Sequence, residues 1–339
     1  MSEEQHPFHE WIQLEQPRLG SRVTYATDEF FGSKERLIEA SAPVFIDDKY
    51  DDHGKWMDGW ETRRRRVGKN DYCFIKLGQK AVINGFNINT SHFTGNYTPG
   101  VSIMGGCFAS DLSESDIVNN TDNSVWFDLL KVQKLDGDSD NIFSSTDQQE
   151  VTHLKLTMYP DGGIARFHAF GSICFDDSLY DVQQTNVAAA SAGARAIYAN
   201  DEHFGKLQNI LAEHAPLNMA DGWETRRRRE PGNDWGLIEL PRPAIISSIM
   251  IDTKFFKGNY PASFSICASC IEEPTDNTLK VQSMFWSELI GRQKLSMDQE
   301  HMFTLDDIKH QEPITHIRIN IFPDGGISRL KLLGTFVKP

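Results

Sequence analysis

Asp58-Gly-Trp-Glu-Thr-Arg-Arg-Arg-Arg66 returns unchanged as Asp221-Gly-Trp-Glu-Thr-Arg-Arg-Arg-Arg229. A nine-residue string met twice sets the architecture before any secondary structure is read: the chain is two copies of one unit. Further matches follow outward in the same order. Tyr25-Ala-Thr-Asp-Glu-Phe-Phe-Gly32 pairs with Tyr198-Ala-Asn-Asp-Glu-His-Phe-Gly205, Gly95-Asn-Tyr97 with Gly258-Asn-Tyr260, and Trp126 with Trp286. Thr152-His153 pairs with Thr315-His316, and Pro160-Asp-Gly-Gly-Ile-Ala-Arg166 with Pro323-Asp-Gly-Gly-Ile-Ser-Arg329.

The offset between copies is 173 residues at Asp28/Asp201 and 163 at Asp58/Asp221, so copy one carries ten more residues between Gly32 and Asp58. That stretch is rich in Asp, Lys and Gly and reads as a surface loop. The offset falls to 160 at Trp126/Trp286, so the acidic loop from Asp111 to Asn123 also differs in length. Two long copies in 339 residues mean a tandem duplication of a whole domain, not a stacked array of short repeats. The expected boundaries are residues 14–175 for repeat 1, 176–186 for a linker and 187–337 for repeat 2. The small-residue run Ala188–Ala194 is a candidate short helix opening copy two.

Local patterning is mostly β. Tyr72–Leu77, Val101–Met104, His153–Met158 and His316–Ile321 are short runs, several alternating apolar with polar residues, and broken by Gly, Pro and Asn. In the third, Leu154, Leu156 and Met158 share one face, while His153, Lys155 and Thr157 share the other. Helical periodicity is confined to Phe30–Glu39 and Glu202–Glu213. The expected fold class is all-β, with a β-sandwich in each copy.

The net charge of -14 argues against general binding to nucleic acid or anionic membranes, because phosphate attraction needs excess positive charge. No apolar stretch is long enough to span a bilayer. Met1-Ser-Glu-Glu-Gln-His-Pro7 lacks the basic and apolar regions of a signal peptide, and Phe336-Val-Lys-Pro339 is not a peroxisomal address. A cytoplasmic location is expected. The five cysteines, an odd count, read as free thiols; Cys267-Ala-Ser-Cys270 has metal-knuckle spacing but no second pair to complete four ligands.

Each chemically suggestive group has a structural alternative. If Glu61–Arg66 is extended, Glu61, Arg63 and Arg65 share one face while Thr62, Arg64 and Arg66 share the other. One set then forms salt bridges and lays its stems over Trp60, and the other is free to bind a carboxylate bidentately. Asp161-Gly-Gly163 suits a hairpin turn. A turn needs no arginine, so Asp161 and Arg166 gain a functional interpretation. Asp28-Glu29 and Asp201-Glu202 suit helix N-termini. His153 and His316 are acid/base candidates if they are not merely solvated. His92 is replaced by Phe255 in copy two. Nucleophile-elbow, phosphate-loop and His-Glu-x-x-His signatures are missing, which leaves acid/base and electrostatic chemistry.

The doubled Asp-Gly-Trp-Glu-Thr-Arg-Arg-Arg-Arg, Gly-Asn-Tyr, Asp-Glu-x-Phe-Gly and Pro-Asp-Gly-Gly-Ile-x-Arg strings together resemble the allantoicase family, over about Leu14 to Val337 and with the fungal members foremost. The resemblance implies two jelly-roll β-sandwich repeats and hydrolysis of allantoate to ureidoglycolate and urea, in the use of allantoin as a nitrogen source. Allantoate is a small anion with one carboxylate and two ureido groups, so an arginine fork and carboxylate acceptors suit it. Arg63 or Arg65, with Arg166, is expected to hold its carboxylate. Asp58 or Glu61 would activate water or remove a proton, and Asp161 or His153 would help urea leave. Copy two offers Asp221, Glu224, Asp324 and His316 with Arg226, Arg228 and Arg329 for the same roles. No cofactor is expected; a divalent ion polarising water is the lesser variant, since no ligand spacing demands one. Association with further copies of the chain is expected. The rival class is a carbohydrate- or protein-binding module in which Trp60 and Trp223 are stacking platforms.

Overall fold

A computed structural model describes residues 7–8, 11–64, 68–109, 112–119, 125–272, 276–309 and 311–338. The chain divides into two units, Met1–Cys174 and Phe175–Pro339. Unit one is built from β1 (Ile12–Gln13), β2 (Arg22–Ala26), β3 (Trp60–Glu61), β4 (Tyr72–Asn89), β5 (Gly100–Gly106), β6 (Trp126–Lys134), β7 (Asp140–Ser144), β8 (Glu150–Met158), β9 (Gly163–Ile164) and β10 (Arg166–Ile173). Unit two repeats that order as β11 (Thr185–Asn186), β12 (Arg195–Ala199), β13 (Trp223–Glu224), β14 (Asp234–Asp252), β15 (Ser263–Ser269), β16 (Ser287–Lys294), β17 (Glu300–Phe303), β18 (Ile314–Phe322), β19 (Gly326–Ile327) and β20 (Arg329–Phe336). All these pairings are antiparallel, and each unit is a β-sandwich, as the alternation predicts.

The long strand β4 belongs to both layers. Its first part pairs with β2 and β8, and its second part with β7 and β10. One layer is therefore β2-β4-β8-β5-β6 and the other β1-β10-β4-β7. The ladder to β8 shifts register between Lys76 and Ala81 of β4, where the strand passes from layer to layer. In β14 the equivalent shift lies between Glu239 and Ala244 and contains Pro241 and Pro243. Proline lacks an amide donor and is tolerated where the ladder lapses.

The core lies between the layers. On β8, Leu154, Leu156 and Met158 are fully buried while Lys155 and Thr157 are half-exposed; Ile317, Ile319 and Ile321 repeat this on β18. Each such side chain contributes about 1.5–3 kcal/mol relative to exposure.

Helix is scarcer than the periodicity predicts. Phe30–Glu39 yields only a 3-10 turn at Lys34–Ile38, and Glu202–Glu213 only one at Leu207–Leu211. The amides of Phe31 and Gly32 both donate to the Glu61 carbonyl, so the segment before the turn is held as an extended edge. Apolar spacing remained because Leu37, Ile38, Leu207 and Ile210 pack into the core. The Ala188–Ala194 run also forms only a 3-10 turn, Ala190–Ala192. Short α-helices occur at Glu114–Asn119, inside the acidic loop, and at Asp276–Gln282. The ten extra residues of copy one include an exposed hairpin pairing Tyr50–Asp51 with Gly54–Lys55.

Candidate active site

The doubled string enters each unit as the short strand β3 or β13, clamped between two other repeated segments. Glu61 pairs with Gly163 of β9 and bridges to Gly32; Glu224 pairs with Gly326 of β19 and bridges to Gly205. Threonine closes the clamp. The Thr62 amide donates to the Gly162 carbonyl at 3.1 Å, and the Gly162 amide donates back to Thr62 Oγ1 at 3.3 Å. Thr225 and Gly325 repeat both bonds. Gly162 and Gly325 have φ of 133° and 132°; a Cβ on the first would lie 2.6 Å from the Thr98 amide nitrogen, and one on the second 2.5 Å from the Asn259 carbonyl oxygen. Both the conformation and the close approach require glycine.

Trp60 and Trp223 are fully buried, and their indole N–H groups donate to the carbonyls of Asp28 and Asp201, each at 2.8 Å. They are core residues beneath the clamp. The expectation that they touch substrate or form stacking platforms is corrected by this burial.

Several charged candidates neutralise one another. Arg166 is 1% exposed; its Nη2 lies 2.9 Å from Asp58 Oδ2, and its Nε donates to the Ser41 carbonyl at 2.9 Å. Arg329 makes the same pair with Asp221 and donates through Nε to the His214 carbonyl at 2.9 Å. Arg166 and Asp58, expected to hold a carboxylate and to activate water, are instead a buried ion pair, and the buried Arg329 pairs likewise with the partly buried Asp221. Arg63 Nε lies 2.7 Å from Asp28 Oδ2, and Arg226 Nε 2.8 Å from Asp201 Oδ2. Burial opposes the charge on Asp28, but the amides of Phe30 and Arg63 and the Arg63 guanidinium outweigh it and hold the carboxyl below its ordinary value. Asp28 and Asp201 thus anchor arginines instead of capping a long helix.

His153 and His316 do not lie on a solvated face. Both are buried, with Nδ1 2.9 Å from Thr152 Oγ1 and 2.8 Å from Thr315 Oγ1. Burial, reinforced by Lys76 and Arg22, pushes His153 down to about 4. It faces the ring of Phe108 and pairs with Gly106, five residues up the strand from Met158, roughly 17 Å at ~3.3 Å per residue. The fold therefore separates it from Glu61 and Asp161.

The residues brought together are others. Glu61, Thr62 and Arg64 line a cavity of about 510 Å³ with Asn96, Tyr97 and Asp161. Glu61 is 9% exposed, and Asn96 Nδ2 donates to its Oε1 at 2.8 Å. Burial raises the Glu61 carboxyl above its ordinary value, with Asp51 of the hairpin adding to it and the Asn96 bond opposing it. In copy two Asn259 Nδ2 donates to Glu224 Oε1 in the same way, and Asp324 Oδ2 accepts from the Arg228 amide at 2.9 Å. Arg226–Arg229, Asp201 and Asp234 line a separate recess of about 280 Å³. Arg65 lies outside the described residues. The chain stops being a strand at Glu61, so the alternating-face expectation fails and Arg64 shares the cavity with Glu61. Asn96 and Asn259 carried a signal, since Gly-Asn-Tyr is doubled, but no role was visible without the fold. Among the described residues no cluster of three or more His, Cys, Asp or Glu side chains is placed to hold a metal, and no helix is long and apolar enough to cross a membrane.

A buried carboxylate, a second carboxylate and an arginine around one small-molecule cavity, built on a doubled scaffold, suit hydrolysis of a small polar anion. Residues 12–174 and 185–337 each match the family model described as allantoicase repeat. The chain belongs to the allantoicase family. It is 43% identical to a probable allantoicase of Burkholderia mallei, over 97% of this chain and 95% of that protein. It is 44% identical to a probable allantoicase of Photobacterium profundum, over 96% and 97% of the two. The crystal structure of allantoicase from Saccharomyces cerevisiae is similar at 32% identity, with a TM-score of 0.81 over 95% of this chain and 92% of that one. The expected leaning toward fungal allantoicases finds no support here, since the bacterial proteins are the more similar.

Proposed function

We propose that this hydrolase of the allantoicase family cleaves allantoate to ureidoglycolate and urea in the cavity beside Glu61, and that Glu224 serves an equivalent site in copy two. The observation that supports it is Glu61 itself: a buried carboxylate whose one described partner is the neutral Asn96 amide, facing a cavity that also holds Arg64 and Asp161. Arg64 holds the substrate carboxylate, and the Glu61 carboxylate takes a proton from water. The water oxygen bonds to the central carbon, the C–N bond to one ureido group breaks, and that nitrogen leaves as urea after regaining a proton. Asp161 accepts ureido N–H groups. Asp324 takes the corresponding place in copy two.

The reaction belongs to allantoin degradation for nitrogen use, in the cytoplasm; five free thiols fit a reducing compartment. We also infer a homo-oligomer, supported by the exposed apolar Val281, Met284 and Phe285. Urea release from allantoate by Glu61→Gln, Glu224→Gln and the double variant tests the assignment. A positioned base contributes ~10²–10⁴-fold, so the double variant should lose at least about 100-fold. Full activity in it removes both glutamates from the mechanism.

A further inference from the structure

The Gly95-Asn96-Tyr97 segment and its copy Gly258-Asn259-Tyr260 meet the Asp-Gly-Gly turn through main-chain hydrogen bonds. The Gly163 amide donates to the Asn96 carbonyl at 2.8 Å, and the Gly326 amide to the Asn259 carbonyl at 2.7 Å. Those bonds need no particular side chain. Both copies nevertheless place an asparagine whose amide donates to the glutamate of the doubled string.

The other acids of the same scaffold are treated differently. Asp28 and Asp58 meet Arg63 and Arg166, and Asp201 and Asp221 meet Arg226 and Arg329. An arginine on a buried carboxylate cancels its charge and fills both oxygens. The asparagine amide places one hydrogen bond on Oε1 and brings no charge, so it fixes the rotation of the carboxylate and leaves the second oxygen and the negative charge for whatever enters the cavity. In copy one the choice of partner separates Asp28 and Asp58, each held by an arginine, from Glu61, which faces the cavity.

We propose that Asn96 and Asn259 are positioning residues for the reaction, each orienting its glutamate so that the second carboxylate oxygen faces the substrate. The inference rests on the assignment of Glu61 and Glu224 made above. Charged or titratable groups facing Glu61 come from each neighbouring element: Asp51 of the hairpin, Arg64 beyond β3, Tyr97 of the asparagine segment and Asp161 of the turn. None of them changes in the test variants.

The test is the pH dependence of kcat/KM for urea release by the full chain, comparing the natural protein with Asn96→Asp/Asn259→Asp and Asn96→Ala/Asn259→Ala. A hydrogen bond to the ionised form favours it, so removing the donor raises the carboxyl and moves the acid limb to higher pH. We expect a shift of about half a unit or more in the Ala pair and a larger one in the Asp pair, where a second carboxyl faces the first. A merely structural asparagine would lower activity at every pH without moving the limb. If the Asp pair does not fold, the Ala pair carries the same readout. An unmoved limb in a folded Ala pair, with Glu61→Gln/Glu224→Gln inactive, overturns this inference alone. Full activity in that glutamine pair overturns the catalytic assignment as well.

Discussion

Arg166 and Glu61 recur with equal fidelity in the two copies, yet they obey opposite electrostatics. Removing the guanidinium by Arg166→Met strands Asp58, itself 8% exposed, as an uncompensated buried charge. The expected loss is about 3–5 kcal/mol, read from urea denaturation midpoints, and Asp58→Asn/Arg166→Met should recover part of it. His153 makes a separate statement about acid. Its folded value is about 4 against an ordinary 6.5, so the unfolded chain binds a proton in a window where the folded chain does not. Stability therefore falls as pH drops from 6.5 toward 4, by up to roughly 3 kcal/mol, and His153→Leu should flatten that slope in denaturation series at stepped pH. The sequence marked both residues as constrained and could not say why. Arg, Asp and His serve burial and catalysis with the same atoms, and only the side chain opposite reveals which. Arg63 and Arg166 are paired with acids and Trp60 is buried, while Asn96, ordinary in composition, lines the cavity and bonds to Glu61.

Among elements, the turn joining β8 to β9 controls where Glu61 sits. Gly162→Ala puts a methyl 2.6 Å from the Thr98 amide nitrogen at a φ few L-residues adopt, and main chain cannot swing aside. We expect a cost on the order of a few kcal/mol and a fall in urea release, checked by thermal melting and activity together. Gly95→Ala, whose added methyl meets nothing within 4 Å, is the control and should stay within about 0.5 kcal/mol. Strand alternation was legible wherever one face is core, as at Leu154, Leu156 and Met158. The two helical candidates misled because Leu37, Ile38 and Leu207 have helix-like spacing, while the preceding amides bond to β3 or β13. A periodicity rule sees the first fact and not the second.

For the whole molecule, duplication was plain from the letters alone, and so was the extra segment before Asp58. The passage of β4 and β14 through both layers was not. Gly78 in one, and Pro241 and Pro243 in the other, punctuate a sequence as strand ends do, yet each chain runs on through 18 and 19 residues respectively. That continuity has a mechanical outcome. A sandwich whose sheets share no backbone can slide or splay along the plane between them; here that plane is stitched by a covalent thread in each half. Each half is therefore expected to unfold in one cooperative step, with its two layers lost together.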